Sequence, residues 1–310
     1  MGREDRPRCS PLQEDELEKY LLAGKIAKKV KKHILDEKKE LLGKNYLSLC
    51  EEVEKLIFEL GGRPAFPVNI CPDFVAAHET ARIEDERKLK EETKLLKIDL
   101  GVHIDGYIVD TAITLVFDKN YEYLRKAAEE ALMSAIDIIK PNVEVRKIGK
   151  VIYEKVKEFG CSPVVNLVGH QMKRYILHTG LSIPNYDNKD TRRLKEGMVI
   201  AIEPFTTNKR GYAIEGYQSE IFSLRNLASF SERMYRDIYI HIKKYYKLLP
   251  FAARWLVNKG FEKRIVKSAI PYLHTKNIIK SYPTLVEIER GLVAQAEHTI
   301  IVQDPPIVLT

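Results

Sequence analysis

Apolar positions recur at helical spacing from Glu14 to Asp36, where Leu17, Leu21, Ile26, Val30 and Ile34 fall near one face and predict a long amphipathic helix. A second helix is expected from Ser48, whose spacing to Glu51 reads as a capping box, and Gly61 closes it. Over residues 94–117 the period changes to two, centred on Asp105-Gly106, a dipeptide that favours a tight hairpin turn. Two further helices are predicted over 121–140 and 145–159, the second ended by Gly160. Residues 197–204 and 291–303 are rich in Val and Ile and read as strands. The long Tyr- and Lys-rich stretch between them is mostly helical in pattern and is broken by Pro250, Gly260 and Pro271. The expected class is α+β, with a helical insertion late in the chain.

The hairpin can be registered residue by residue. With Asp105-Gly106 as the central turn, Ile104 faces Tyr107, Asp99 faces Ala112 and Asp110 faces Gly101. Both aspartates then lie on one face, diagonally offset by roughly 7–8 Å between backbones. The other face carries Leu100, Val102, Ile104, Tyr107, Val109, Ile113 and Leu115 and is the expected core face, with the acids on the opposite side. Carboxylates at this offset can hold a pair of cations about 3.5–4 Å apart. An isolated Asp pair more often faces solvent, so the weight falls on residues further along the chain.

Residues 166–180 read NLVGHQMKRYILHTG, and both His170 and His178 stand where strand-like segments meet glycine. A neutral imidazole is a common metal ligand, and a second can polarise a carbonyl. Glu203 in GMVIAIEPF and Glu297 in LVAQAEHTIIV interrupt otherwise apolar strands, where an unpaired charge would cost several kcal/mol, so each is expected to have a cation or proton partner. Gln295 shares the face of Glu297, while His298 points away and is read as structural, as are His33, His103, His241 and His274. His78, in FVAAHET, enters as a site residue only through its company.

Of 310 residues, 45% are hydrophobic and 31% charged, which favours a globular chain of one or two domains over a disordered one. The four cysteines are far apart and form no CxxC pair, which excludes a disulfide framework, argues against a thiolate zinc site and suits a reducing compartment. The charged start MGREDRPRCS has no apolar segment behind it, and Arg6 stands where a myristoylation motif requires Ser or Thr. A cytoplasmic protein with no membrane contact is expected. The net charge of +7 is uneven: residues 225–280 hold 13 Lys and Arg against 3 Asp and Glu, a net of +10, so the remainder carries −3. Such a stretch suits a polyanion, although solvated helix faces account for it at least as well.

Taken in order, KIDLGVHIDGYIVDTAIT, VGHQM, ILHTG, IEPF and AQAEHT closely resemble the methionine aminopeptidases, specifically the type 2, archaeal-like branch, from about Glu14 to the C-terminus. The resemblance implies the pita-bread (creatinase/aminopeptidase-like) fold, two pseudo-symmetric halves around a dinuclear metal site, with a helical insertion before the last glutamate. It divides the chain into a tail over 1–10, a catalytic domain over 11–205 and 283–310, and a mostly helical insertion over 206–282. It makes Asp99, Asp110, His170, Glu203 and Glu297 the ligands of two divalent ions (Mn, Fe, Co or Zn). Asp110 and Glu297 bridge, with Asp99 on one ion and His170 and Glu203 on the other. It makes His78, His178 and Glu203 catalytic, and places Phe66, His78, Leu177, His178 and Tyr282 at the substrate, Tyr282 by its spacing to Glu297 alone.

The implied activity is removal of initiator methionine from nascent polypeptides with a small second residue, by attack of a metal-bridging hydroxide. Glu203 moves the proton, and His78 and His178 stabilise the oxyanion. Expected partners are nascent-chain N-termini and, through residues 225–280, the ribosome; the chain is read as a monomer. Two rivals remain. An X-Pro aminopeptidase or prolidase uses the same ligand types, but the IEPF and AQAEHT contexts and the insertion point away from it. A non-catalytic ribosome- or RNA-binding relative would have no reason to keep five intact ligand positions.

Overall fold

The computed structural model describes residues 12–217, 220–228 and 233–310, with 233 and 234 described by backbone only. The expected tail over 1–10 and part of the 225–280 stretch lie outside these residues.

Helix α1 spans Glu14–Asp36, as its apolar spacing predicts, and buries Tyr20, Ala23, Ala27, Val30 and Ile34. Helix α2 spans Tyr46–Glu59 and starts before Ser48. Its cap is Asn45, whose Oδ1 accepts hydrogen bonds from the N–H groups of Leu47 at 2.8 Å and Ser48 at 3.2 Å, so the expected Ser48 capping box does not form. Gly61 closes α2 at φ 89°.

The hairpin strands Leu95–Ile104 and Tyr107–Val116 pair in the predicted register, with Ile104 opposite Tyr107, Asp99 opposite Ala112 and Gly101 opposite Asp110. Asp105 and Gly106 both have positive φ, 51° and 87°, as the two-residue turn requires. One expectation fails: the acid face is buried as well as the apolar face. Leu96, Leu100, Val102, Val109 and Leu115 pack with α1 and α2, yet Lys97, Asp110 and Thr114 on the other face are also buried. Threonines from both segments stitch the hairpin to residues 293–301. Thr114 Oγ1 donates to the Gln295 carbonyl at 2.7 Å and accepts from Gln295 N–H at 2.8 Å. Thr111 Oγ1 donates to the Glu297 carbonyl at 2.8 Å, and Asp110 N–H donates to Thr299 Oγ1 at 2.7 Å. These bonds satisfy backbone groups that sheet pairing leaves free.

Helices α3 (Glu122–Asp137) and α4 (Val145–Glu158) form the second half of the body. Their apolar faces pack on the sheet containing Gly169–Met172, Val199–Ile202 and His298–Ile301. Each predicted strand around a glutamate is broken at that residue. Residues 197–204 yield Val199–Ile202, a break at Glu203-Pro204, and then Phe205–Thr207; residues 291–303 yield Val293–Gln295, a break at Ala296-Glu297, and then His298–Ile301. Ile202 pairs with His298 and Phe205 with Gln295, so the two breaks lie across from each other where the chain passes between sheets.

Within residues 206–282, helices α5 (Arg233–His241, continued by a π turn over Ile242–Tyr246), α6 (Ala253–Asn258) and α7 (Lys263–Thr275) surround a small sheet built on Ile221–Leu224. They share a separate core of Phe222, Ile238, Ile242, Phe251, Leu256, Val266 and Leu273. Strand Ala213–Glu215, from the same stretch, instead pairs with Leu285–Glu287. No helix among the described residues is long and apolar enough to cross a membrane.

Candidate active site

The hairpin, the Gly169–Met172 strand and the two strand breaks converge on one cavity. Asp99, Asp110, His170, Glu203 and Glu297 all line it, as do Phe66, His78, Leu177, His178 and Tyr282, so every residue expected at the site is brought to the same place.

At its centre, ligand-type atoms of Asp110, His170 and Glu297 lie within 4.8 Å of one another. His170 Nε2 is 3.5 Å from Asp110 Oδ2 and 3.5 Å from Glu203 Oε1. Local sequence explains the approach. Gly169 lets its strand close on Val199–Ile202, since a Cβ there would stand 2.3 Å from the Ala201 carbonyl oxygen. Both glutamates sit at breaks in their strands, where the side chain is free of the alternation that would turn it toward the apolar core.

Burial raises Asp99, Glu203 and Glu297 well above the ordinary carboxylate range, and the neighbouring acids add to the shift; burial also lifts Asp110 to about 7. Burial pushes His170 down to about 4 and also lowers His78 and His178, so all three imidazoles are neutral at pH 7. Asp99 Oδ1, Asp110 Oδ1 and Glu297 Oε1 are buried without a hydrogen-bond partner among the described residues. Buried acceptors that lack donors are rare, and here several oxygens are aimed together with one neutral nitrogen. That donor set fits hard or borderline divalent cations.

His78 has a left-handed backbone, φ 65°; its N–H donates to Asn69 Oδ1 at 2.8 Å. Its Nδ1 lies 3.1 Å from the Pro283 carbonyl, which can only accept; in the neutral ring Nδ1 therefore carries the proton and Nε2 the lone pair. The His178 ring stacks edge-on against His170, with centroids 4.3 Å apart. Tyr282 packs against both His78 and His178, and its hydroxyl is 3.2 Å from Ser223 Oγ. Phe66 is seated over Gly101, where a Cβ would fall 2.4 Å from the ring.

Five further lining residues escape a reading of the sequence: Asn69, Ala77, Phe205, Ile221 and Pro250. Asn69 carries a signal, as the one polar residue in the run AFPVNIC. Ile221 and Pro250 carry none, since only the tertiary fold brings them to the cavity.

A family model described as metallopeptidase family M24 matches residues 18–304. The methionine aminopeptidase of Pyrococcus horikoshii is 44% identical over 95% of this chain and 99% of its own, and that of Saccharolobus solfataricus 39% over 96% and 99%. Among solved structures, a thermophilic Arx1 superposes with a TM-score of 0.81 at 17% identity, covering 96% of this chain and 91% of its own. A methionine aminopeptidase from Rickettsia prowazekii gives 0.68 at 21%, covering 97% and 99%, and a Pyrococcus furiosus prolidase 0.60 at 19%, covering 96% and 64%. At these identities the structures speak for the shared pita-bread fold alone. The family model and the sequence relatives, spanning nearly the whole chain, carry the conclusion that it belongs to metallopeptidase family M24, among the methionine aminopeptidases.

Proposed function

We propose that the chain removes the initiator methionine from nascent polypeptides whose second residue is small, as a metal-dependent type 2 methionine aminopeptidase. The observation that carries this reading is the set of buried, unpartnered carboxylate oxygens on Asp99, Asp110 and Glu297 beside the neutral His170. Asp99, Asp110, His170, Glu203 and Glu297 would hold two divalent ions of the Mn, Fe, Co or Zn kind. Such ions lower the pKa of bound water toward neutrality and offset the charge of the acids.

The remaining steps fall to the chain's own groups. Glu203, with its raised affinity for a proton, accepts one from the attacking water and passes it to the leaving amine. Because His78 holds its proton at Nδ1, its Nε2 accepts a hydrogen bond, which suits the scissile amide N–H rather than the oxyanion. Polarising the carbonyl then rests with His178, a revision of the role that the family resemblance gives to both histidines. The acid cluster receives the free α-amino group and confines cleavage to the first residue. Phe66, Leu177 and Tyr282, with Ile221 and Pro250, form an apolar wall suited to an unbranched thioether.

On the same reading 206–282 is an insertion into the catalytic domain, supported by its separate core. The fitting partners are nascent-chain N-termini, and the ribosome through the basic stretch. Peptide competition tests the specificity: Met-Gly, Met-Ala and Met-Ser peptides should be cut, and Met-Leu or Met-Lys scarcely. Faster release of a first residue from Ala-Pro peptides than from Met-Ala peptides would replace this reading with the X-Pro aminopeptidase.

A further inference from the structure

Between α2 and α6 lies a buried ion pair that the proposed chemistry does not use. Arg254, on α6 of the insertion, donates from Nη1 and Nη2 to the two oxygens of Glu54, on α2 of the body, both at 2.6 Å. Their side chains are 2% and 7% exposed. Glu54 also accepts from the Trp255 indole at 2.8 Å and from Val68 N–H at 3.2 Å. Thr80 Oγ1 donates to the Val68 carbonyl at 2.7 Å and accepts from Arg254 Nη2 at 3.4 Å.

The bonded positions bracket His78. Val68 precedes Asn69, which holds the His78 N–H, and Thr80 follows two residues after His78. His78 is kept in a left-handed conformation that non-glycine residues adopt at a cost, and such a conformation persists only where its surroundings over-determine it. A buried ion pair seldom adds net stability over an apolar pair of the same volume, so stability alone does not account for this one. We propose that the Glu54–Arg254 pair is a positioning device that fixes His78 through Val68 and Thr80, and so couples the insertion to the geometry of the reaction. The inference rests on the reading of His78 as an active-site group.

The experiment compares Arg254→Met, Thr80→Val and Thr80→Ser in the full-length protein. Three quantities are read in each: kcat on Met-Ala-Ser with saturating Mn, Mn affinity, and the rate at which diethyl pyrocarbonate acylates His78 relative to His178, mapped by mass spectrometry. Arg254→Met and Thr80→Val should lower kcat about tenfold or more, as misplacement of a catalytic group does. They should also change the His78-to-His178 acylation ratio while leaving Mn affinity as in the parent; Thr80→Ser, which keeps the hydroxyl, should restore both. Should Arg254→Met fail to fold, Glu54→Gln/Arg254→Met removes both charges together and is read in its place. Unaltered kcat and acylation ratio in the folded variants overturn the proposal. A parent protein inert on methionyl peptides instead overturns the functional reading, and the acylation ratio still decides the positioning role.

Discussion

Glu203 and Asp110 are both buried acids in one cavity, yet they should fail differently when changed. Glu203→Gln removes the proposed proton acceptor and is expected to lower kcat by about 10²-fold or more. Asp110→Asn removes a charge at the centre of the proposed ligand set and should chiefly weaken metal binding, seen by calorimetric titration. Wild-type kcat in metal-loaded Glu203→Gln would move the base elsewhere. These acids are legible as candidates because each interrupts an apolar pattern, and Asp99 and Asp110 because the turn fixes their register. The His78 tautomer is not legible, since it depends on a carbonyl 205 residues away in sequence. The acids also set a pH dependence. Their folded pKa values are raised, to about 7 for Asp110, so the folded chain binds more protons than the unfolded one. The contribution is full below the unfolded value of about 4 and is lost as pH rises through the folded one. Chelator-treated protein should therefore melt at falling temperature from pH 5 to pH 8, and a divalent ion should cancel most of that fall. A chelated protein whose melting point rises over that window would contradict the burial of uncompensated acids.

Among elements, those with strong local signals are legible in the sequence and those shaped by tertiary contacts are not. Helix α1 and the hairpin register follow from periodicity and turn chemistry. The strands around Glu203 and Glu297 read as continuous because an apolar run does not reveal where one sheet gives way to another, although Pro204 is a usable hint. The burial of the acid face is hidden for a related reason: Thr111, Thr114 and Thr299 look like ordinary β-formers, yet they replace sheet bonds between segments remote in sequence. The displaced cap of α2 can be tested directly. Asn45→Ala should cost about 1 kcal/mol in denaturant unfolding, whereas Ser48→Ala should cost a few tenths at most. Equal losses would restore Ser48 as the cap.

At the scale of the whole molecule, residues 221–280 matter in two ways: they supply Ile221 and Pro250 to the cavity, and they carry the basic excess. Lys243, Lys244, Lys263 and Lys267 are exposed, although Lys263 pairs with Glu84, and none lines the cavity. Reversing all four to Glu should reduce ribosome co-sedimentation at low salt, since phosphate contacts release counterions, while leaving tripeptide turnover near that of the parent. Unchanged co-sedimentation would leave the stretch as solvated helix faces. The central claim is that the buried acids exist to hold metal for peptide hydrolysis. Its most direct test is turnover of Met-Ala-Ser by protein whose metal content is measured at each step. Activity should vanish when chelation empties the site and return with Mn, Fe or Co; full turnover in excess chelator, with metal shown to be absent, would contradict the account.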